Sequence, residues 1–177
     1  MSPVASSEYV PNMGKRDYML PPVDLGFLYP DKRDKECPVS LWVKFVDEPI
    51  APSARHWAIV WDVPGREGSV RLRAFRQLQV TRERDKQGVP CDHLTNWGPM
   101  TKSVTDDDLN RSRLIPLGDI GLAGRKRLEE IASTMPIHVP DGDWNNQHWI
   151  IAVLELAVQE GILNINVDKV RAQALSY

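Results

Sequence analysis

The chain has 177 residues, of which 42% are hydrophobic and 26% are charged. This composition excludes an intrinsically disordered chain, and the length suits a single domain that can bury a core of its own. Lysine and arginine total 22 against 24 aspartates and glutamates, so there is no basic excess for phosphate contacts and we expect no nucleic-acid partner.

The first 36 residues contain five prolines and show no sustained hydrophobic periodicity. We therefore predict a Pro-rich N-terminal arm over residues 1–36, either mobile or wrapped over the body, followed by a single domain over residues 37–177. Within the arm, the charge run DKRDKE at residues 31–36 is typical of a solvated turn.

Three strand-like segments follow the arm. Ser40–Asp47 alternates between two faces, and Arg55–Val63 is rich in β-branched and aromatic residues. A turn at residues 64–68 leads into Ser69–Arg82, which is amphipathic and long enough for a strand. Together these segments predict a three-stranded antiparallel meander.

The second half of the chain is predicted to be mainly helical. Residues 84–110 are polar and rich in turn formers, which predicts a long surface loop or a lid. A short strand or the start of a helix is expected at Leu114–Ile120, and helices are expected over Gly124–Thr134, Asp143–Glu160 and Val167–Leu175. Strands followed by helices indicate an α+β fold, with the meander packed against the C-terminal helices.

The helix over Asp143–Glu160 has the clearest signals of the three. Asp143 is its expected N-cap and Gly161 its expected stop, and an apolar stripe at helical spacing is expected to face the core. That stripe comprises Ile150, Val153, Leu154 and Ala157. The last helix is expected to be capped by Asn166.

The cysteines and the apolar stretches are used to predict the cellular compartment. Cys37 and Cys91 are far apart and in no metal-binding spacing. The N-terminus lacks a signal-peptide pattern, and the longest apolar stretch is too short to span a bilayer. We therefore expect a cytoplasmic protein with reduced thiols, no membrane association and no cofactor.

Two segments, RHWAIVW at residues 55–61 and DWNNQHWI at residues 143–150, together resemble a known family. They are similar to the motifs of the circularly permuted papain-like fold, the group of NlpC-type hydrolases and lecithin:retinol acyltransferase-like proteins. The chain also resembles uncharacterised fungal proteins that carry a Trp-Asn-Cys-Gln signature and a preceding Leu-Gly-Asp-Ile run, here Leu117–Ile120. The resemblance covers about residues 40–160.

The resemblance implies a catalytic site, but this chain lacks the nucleophile of that site. The family's histidine falls on His56, and its nucleophilic cysteine falls on Asn146, which has no thiol. An amide gains no comparable nucleophilicity from a helix N-terminus or an imidazole, so acyl-enzyme chemistry is not expected. The family's third polar residue usually comes from the next strand, where Arg71 and Arg73 cannot accept an imidazole proton. No orienting residue is therefore assigned.

The residues around position 146 can still bind a ligand or transfer a proton. His56 and Asn146 are the predicted catalytic residues, with His56 as acid or base, unless they only hydrogen-bond each other in a vestigial site. The helix start is expected to offer free backbone N–H groups to an anion. Gln147, Trp57 and Asn145 are the predicted substrate-binding residues.

Other histidines carry less information. His93 lies next to Asp92 and Cys91, but the spacing is unlike a structural zinc site, so we predict an ordinary polar loop and no metal. His148 shares a helix face with Ala152 and is expected to be exposed.

Three functions follow from these residues. The first is a non-hydrolytic small-molecule protein on a degraded thiol-hydrolase scaffold, which assists cyclisation or isomerisation of an apolar metabolite in fungal specialised metabolism. The second is a pseudoenzyme that binds a peptide or protein, and the third is a hydrolase with an unrecognised nucleophile, for which Cys91 is the candidate. A small-molecule ligand is the expected partner, and a protein partner or a homo-oligomer is left open.

Overall fold

The computed structural model describes residues 8–45, 50–65 and 73–177. Its centre is a five-stranded antiparallel sheet with strand order β4-β3-β2-β1-β5. The strands are β1 (Cys37–Lys44), β2 (His56–Val63), β3 (Ala74–Leu78), β4 (Met100–Ser103) and β5 (Ser112–Ile120). The helices are α1 (Asp106–Asn110), α2 (Leu122–Thr134), α3 (Asn146–Gln159) and α4 (Val167–Leu175). The predicted α+β class is therefore confirmed.

The predicted meander corresponds to three neighbouring strands. Strands β1, β2 and β3 pair antiparallel in chain order. Strand β1 begins earlier than predicted, at Cys37, and β3 ends at Leu78 rather than continuing to Arg82. The remainder of the predicted Ser40–Asp47 strand beyond Phe45, part of the 64–68 turn and residues 69–72 lie outside the described residues.

Sequence analysis missed two elements in the segment that it treated as a loop. Strand β4 has four residues, too few for alternation to be recognised. Helix α1 has five residues and begins with a capping box, in which the Thr105 hydroxyl accepts from the Asp108 N–H and the Asp108 carboxylate accepts from the Thr105 N–H. Together they carry the chain from one edge of the sheet to the other.

The start of α3 differs from the prediction. Its N-cap is Asn145, not Asp143, because the Asp141 carboxylate accepts the N–H groups of Asp143 and Trp144, at 2.9 and 2.7 Å, and holds them in a separate turn. The helix ends at Gln159, one residue before the predicted Glu160, and the predicted stop Gly161 follows with φ +73°. Helix α2 begins two residues earlier than expected, and α4 has the predicted bounds and its Asn166 cap.

Side chains from the two faces of the sheet form two apolar clusters. The larger cluster joins the sheet to α2, α3 and α4 and includes the four predicted stripe residues of α3, all fully buried. The smaller cluster, on the opposite face, comprises Trp42, Ala58, Val60, Phe75 and Val104, with Leu109 of α1 packed against it. Helix α1 therefore covers part of the face that the longer helices leave open.

The described part of the N-terminal arm, residues 8–36, wraps over the body. Val10 and Tyr29 are buried in the larger cluster. Asp31 is also buried, which corrects the expectation of a solvated charge run at that residue. Its carboxylate accepts bonds from the Arg125 guanidinium at 2.8 and 3.0 Å and from the Trp61 indole at 2.8 Å.

Candidate functional site

His56 and Asn146 lie together where β2 and α3 begin. The amide nitrogen Nδ2 of Asn146 is 3.2 Å from Nδ1 of His56 and 3.0 Å from the backbone carbonyl oxygen of Trp57. Because Nδ2 carries two hydrogens, one amide can serve both acceptors. The structure therefore brings the two predicted catalytic residues into direct contact, with Asn146 as the donor.

Gln79, which follows β3, holds the other side of the imidazole. Its Oε1 is 2.7 Å from His56 Nε2. An amide oxygen can only accept, so the proton of the neutral ring resides on Nε2, and Nδ1 is left to accept from Asn146. The three side chains form a hydrogen-bonded row, Asn146–His56–Gln79, hereafter the imidazole cluster.

Sequence reasoning missed Gln79 because it considered other residues of the next strand. Arg71 lies outside the described residues, and Arg73 is exposed and bonded to the Asp62 carboxylate at 3.2 Å. Leu78 pairs with Ile59, so the next position, Gln79, falls on the same face of the sheet as His56. That signal needs the β2–β3 register, which alternation alone does not supply.

The environment of His56 keeps its ring neutral. Burial lowers the pKa of His56 to about 4, with a further lowering by the positive charges of Lys44 and Lys102, although the hydrogen bond to Gln79 acts in the opposite direction. The pKa of His56 therefore lies well below the ordinary value of 6.5 for a histidine. At pH 7 the imidazole is therefore an acceptor at Nδ1 and a donor at Nε2.

Lys44 is a second titratable group in this region that the sequence analysis did not single out. It pairs directly with His56 across β1 and β2, and its Nζ lies 4.1 Å from the centroid of the Trp42 ring. Burial and the charge of Lys102 lower the pKa of Lys44 to about 8, against an opposing effect of Asp108. The site therefore contains an ammonium group beside a neutral imidazole.

Two of the predicted substrate-binding residues donate hydrogen bonds to a backbone segment. Gln147 is buried, and its Nε2 donates to the carbonyl oxygens of Pro52 and Arg55 at 2.8 and 2.9 Å. Asn145 donates to the Ser53 carbonyl at 3.3 Å. These bonds tie residues 52–55, which lead directly into His56, to the start of α3. Both residues therefore position His56.

The helix start offers fewer free donors than expected. The side chain of Asn145 accepts the backbone N–H groups of Gln147 and of the third helical residue, His148. The His148 ring in turn accepts from the Asn145 N–H at 3.1 Å, so this half-buried histidine has a capping role. The expectation of several free N–H groups is thus corrected by this capping box.

Trp57, the third predicted substrate-binding residue, is fully buried in the larger apolar cluster. Its ring packs in the core, while its backbone carbonyl is the part that reaches the site, as an acceptor for Asn146. A pocket of about 290 Å³ beside α4 is lined by Asn145 and Gln147 together with residues such as Arg171 and Glu155. His56 does not line that pocket.

The remaining candidates lie elsewhere. His93 is buried, and its two ring nitrogens contact the Asp92 carboxylate at 2.7 Å and the Gly14 carbonyl at 2.9 Å. The Cys91 sulfur lies 3.8 Å from the Tyr18 hydroxyl. Within the described ranges, no group of three or more histidine, cysteine or acidic side chains could hold a metal ion.

Comparisons with known proteins found no relative of this chain. No family model matches the chain, and searches of curated proteins and of solved structures give no match either. In the part of the chain that the structure describes, no helix combines the length and apolar character needed to cross a membrane.

Proposed function

We propose that the protein is a non-hydrolytic small-molecule-binding protein built on a permuted papain-like scaffold in which Asn146 stands in the place of the nucleophile. One observation carries the proposal: the group that faces His56 Nδ1 at the start of α3 is an amide that donates to it at 3.2 Å. A thiol hydrolase requires a thiolate at such a position.

The position of Gln79 further supports the scaffold. The family resemblance implies a polar residue from the next strand that orients the histidine, and Gln79 accepts from His56 Nε2 at 2.7 Å. The imidazole cluster therefore has the polar groups of a cysteine–histidine site, with the thiol replaced by an amide. Such a site can recognise a polar ligand through hydrogen bonds but forms no acyl-enzyme.

Acid–base catalysis by His56 is the second candidate, favoured by the position of the half-buried ring, whose Nδ1 faces the start of α3. A ligand that displaces the Asn146 amide from Nδ1 would meet a free lone pair able to accept a proton. The reaction class is cyclisation or isomerisation of an apolar metabolite, in the fungal specialised metabolism that the resemblance implies. Cys91 as a nucleophile has less support, because the contact of its sulfur is with Tyr18.

Restoring the thiol tests the scaffold. In a Cys91→Ser background, we expect Asn146→Cys to introduce a thiol that iodoacetamide alkylates at pH 6 about tenfold faster or more than an ordinary thiol, because the imidazole and the helix start lower its pKa. The variant should also hydrolyse p-nitrophenyl acetate slowly.

The matched controls are Asn146→Ala and the double variant His56→Ala/Asn146→Cys, both in the same background. Asn146→Ala should not hydrolyse the ester, and the double variant should lose the enhanced alkylation. A folded Asn146→Cys variant whose new thiol reacts at the ordinary rate would overturn the scaffold. Ester hydrolysis by the wild-type protein that stops on alkylation of Cys91 would establish the hydrolase function instead.

The kind of partner is tested by native mass spectrometry of the full chain purified from cells of its source. A bound species of small-molecule mass is expected, and a bound peptide or protein would replace the proposal with the pseudoenzyme function. Metabolite profiles of cells expressing wild type or His56→Ala at matched levels test catalysis. Unchanged product levels with a lowered melting temperature would refute the acid–base role.

A further inference from the structure

Two lysines share the face of the sheet on which Trp42 and Phe75 form the smaller apolar cluster. Lys44 pairs with His56 across β1 and β2, and Lys102 pairs with Phe75 across β3 and β4. The charge of Lys102 acts on both Lys44 and His56, so the two ammonium groups contribute to one local field. This region, Lys44 with Lys102 beside His56, is hereafter the lysine pair.

In the part of the chain that the structure describes, no carboxylate is bonded to either member of the lysine pair. Asp108 of α1 acts on Lys44 electrostatically, but its carboxylate is bonded to the N–H and hydroxyl of Thr105 at 2.9 and 2.7 Å. Two half-buried cations with no anion bonded to them among the described residues carry an electrostatic cost that a bound anion would offset.

The surroundings indicate what kind of molecule carries that anion. The Lys44 ammonium lies over the Trp42 ring, and the Trp42 and Phe75 rings contact each other edge to face, with centroids 5.4 Å apart. Trp42 Nε1 is a buried donor without an acceptor among the described residues. A hydrogen-bond acceptor attached to an apolar body would suit both features.

We infer that the lysine pair binds the oxyanion group, a carboxylate or a phosphate, of the small molecule that occupies the site at His56. The inference rests on the proposed function and specifies its ligand class. Binding an anion here cancels part of the positive field that acts on His56, so the anion raises the proton affinity of the imidazole. By linkage, protonation of His56 strengthens anion binding by the same factor.

The inference is tested with three probes that share a phenyl group: phenylacetate, phenylacetamide and phenyl phosphate. Isothermal titration calorimetry at pH 7 measures their affinity, and NMR of the His56 ring measures its pKa with and without each probe. We expect the carboxylate or the phosphate to bind with an affinity at least about tenfold higher than that of the neutral amide. Added salt should weaken the binding of the anion, and the bound anion should raise the pKa of His56. Comparison of the two anions shows which oxyanion the pair prefers.

Three variants complete the test. Lys44→Met should weaken anion binding about tenfold or more and raise the pKa of free His56, because it removes a nearby positive charge. Lys44→Arg should retain binding, and Lys169→Met on α4 should change neither quantity.

Equal affinity for the anions and the amide, or unchanged anion affinity in Lys44→Met, would overturn the inference. Small-molecule binding would then still stand on the native mass spectrum and on the Asn146→Cys assay. If none of the probes binds, the lysine pair is not an oxyanion site, and those two experiments judge the proposed function independently.

Discussion

Acidification should destabilise this protein through His56 specifically. The pKa of His56 is lowered to about 4 in the folded chain, against an ordinary value near 6.5. Below pH 6.5 the His56 ring therefore binds a proton in the unfolded chain but stays unprotonated in the folded chain. As a result, the free energy of unfolding falls as the pH drops towards 4. The shift corresponds to about 3 kcal/mol at most, of which about 2 kcal/mol should be lost between pH 7 and pH 4.5.

The assay is urea unfolding followed by tryptophan fluorescence at pH values from 7 to 4.5. At pH 7, His56→Gln should lower the free energy of unfolding by about 1–3 kcal/mol, since the Asn146 donor and the Gln79 acceptor lose their partner. Between pH 7 and pH 4.5, however, the variant should lose about 2 kcal/mol less than the wild type. The difference between the two proteins should therefore shrink as the pH falls.

Titrating groups other than His56 are common to both proteins, so their contributions cancel in the difference between the two acid-induced losses. Equal acid-induced losses in the wild type and His56→Gln would refute the reasoning. An NMR titration that placed the pKa of His56 near 6.5 would refute it as well.

Three further predictions concern contacts that hold the fold together. Arg125→Met should leave the Asp31 carboxylate buried without its cation and cost about 3–5 kcal/mol, measured as a lower urea midpoint; a loss below 1 kcal/mol would contradict the importance of this pair. Gln147→Leu should destabilise the chain by about 1–3 kcal/mol through the carbonyls it leaves unpaired, and an unchanged melting temperature would show that water replaces the amide. Gly14→Ala should lower the melting temperature markedly, because the new Cβ would lie 2.2 Å from the Leu94 carbonyl oxygen at φ +79°; retained stability would mean that this turn can shift.

Local patterns accounted for most of the secondary structure. The strands β1 and β2 and the helices α2, α3 and α4 were all predicted, because side-chain periodicity and end signals such as Asn166 and Gly161 act within a few residues. The errors lay in short elements and in ambiguous caps. Two aspartates and two asparagines lie near the start of helix α3, and the turn formed by Asp141 decides that Asn145 is the cap.

The candidate site was also predicted only in part. His56 and Asn146 were singled out from two short motifs, and the structure places them 3.2 Å apart. Gln79 and Lys44 were not singled out, although each lies next to the imidazole. Their roles depend on which residues pair across β1, β2 and β3, and a strand pattern of period two leaves that register open.

Tertiary structure also decided which polar side chains hold the scaffold and which face the site. Gln147 and Asn145 have side chains that suit a ligand, and in the folded chain their amides also donate to carbonyls of residues 52–55. The sequence by itself determined the α+β class, the helices α2, α3 and α4, and the absence of a thiol at position 146. These features follow from residue identity and short-range spacing. The neutral state of His56 and the lowered pKa of Lys44 arise from burial and from charges brought together across strands, which only the folded chain creates.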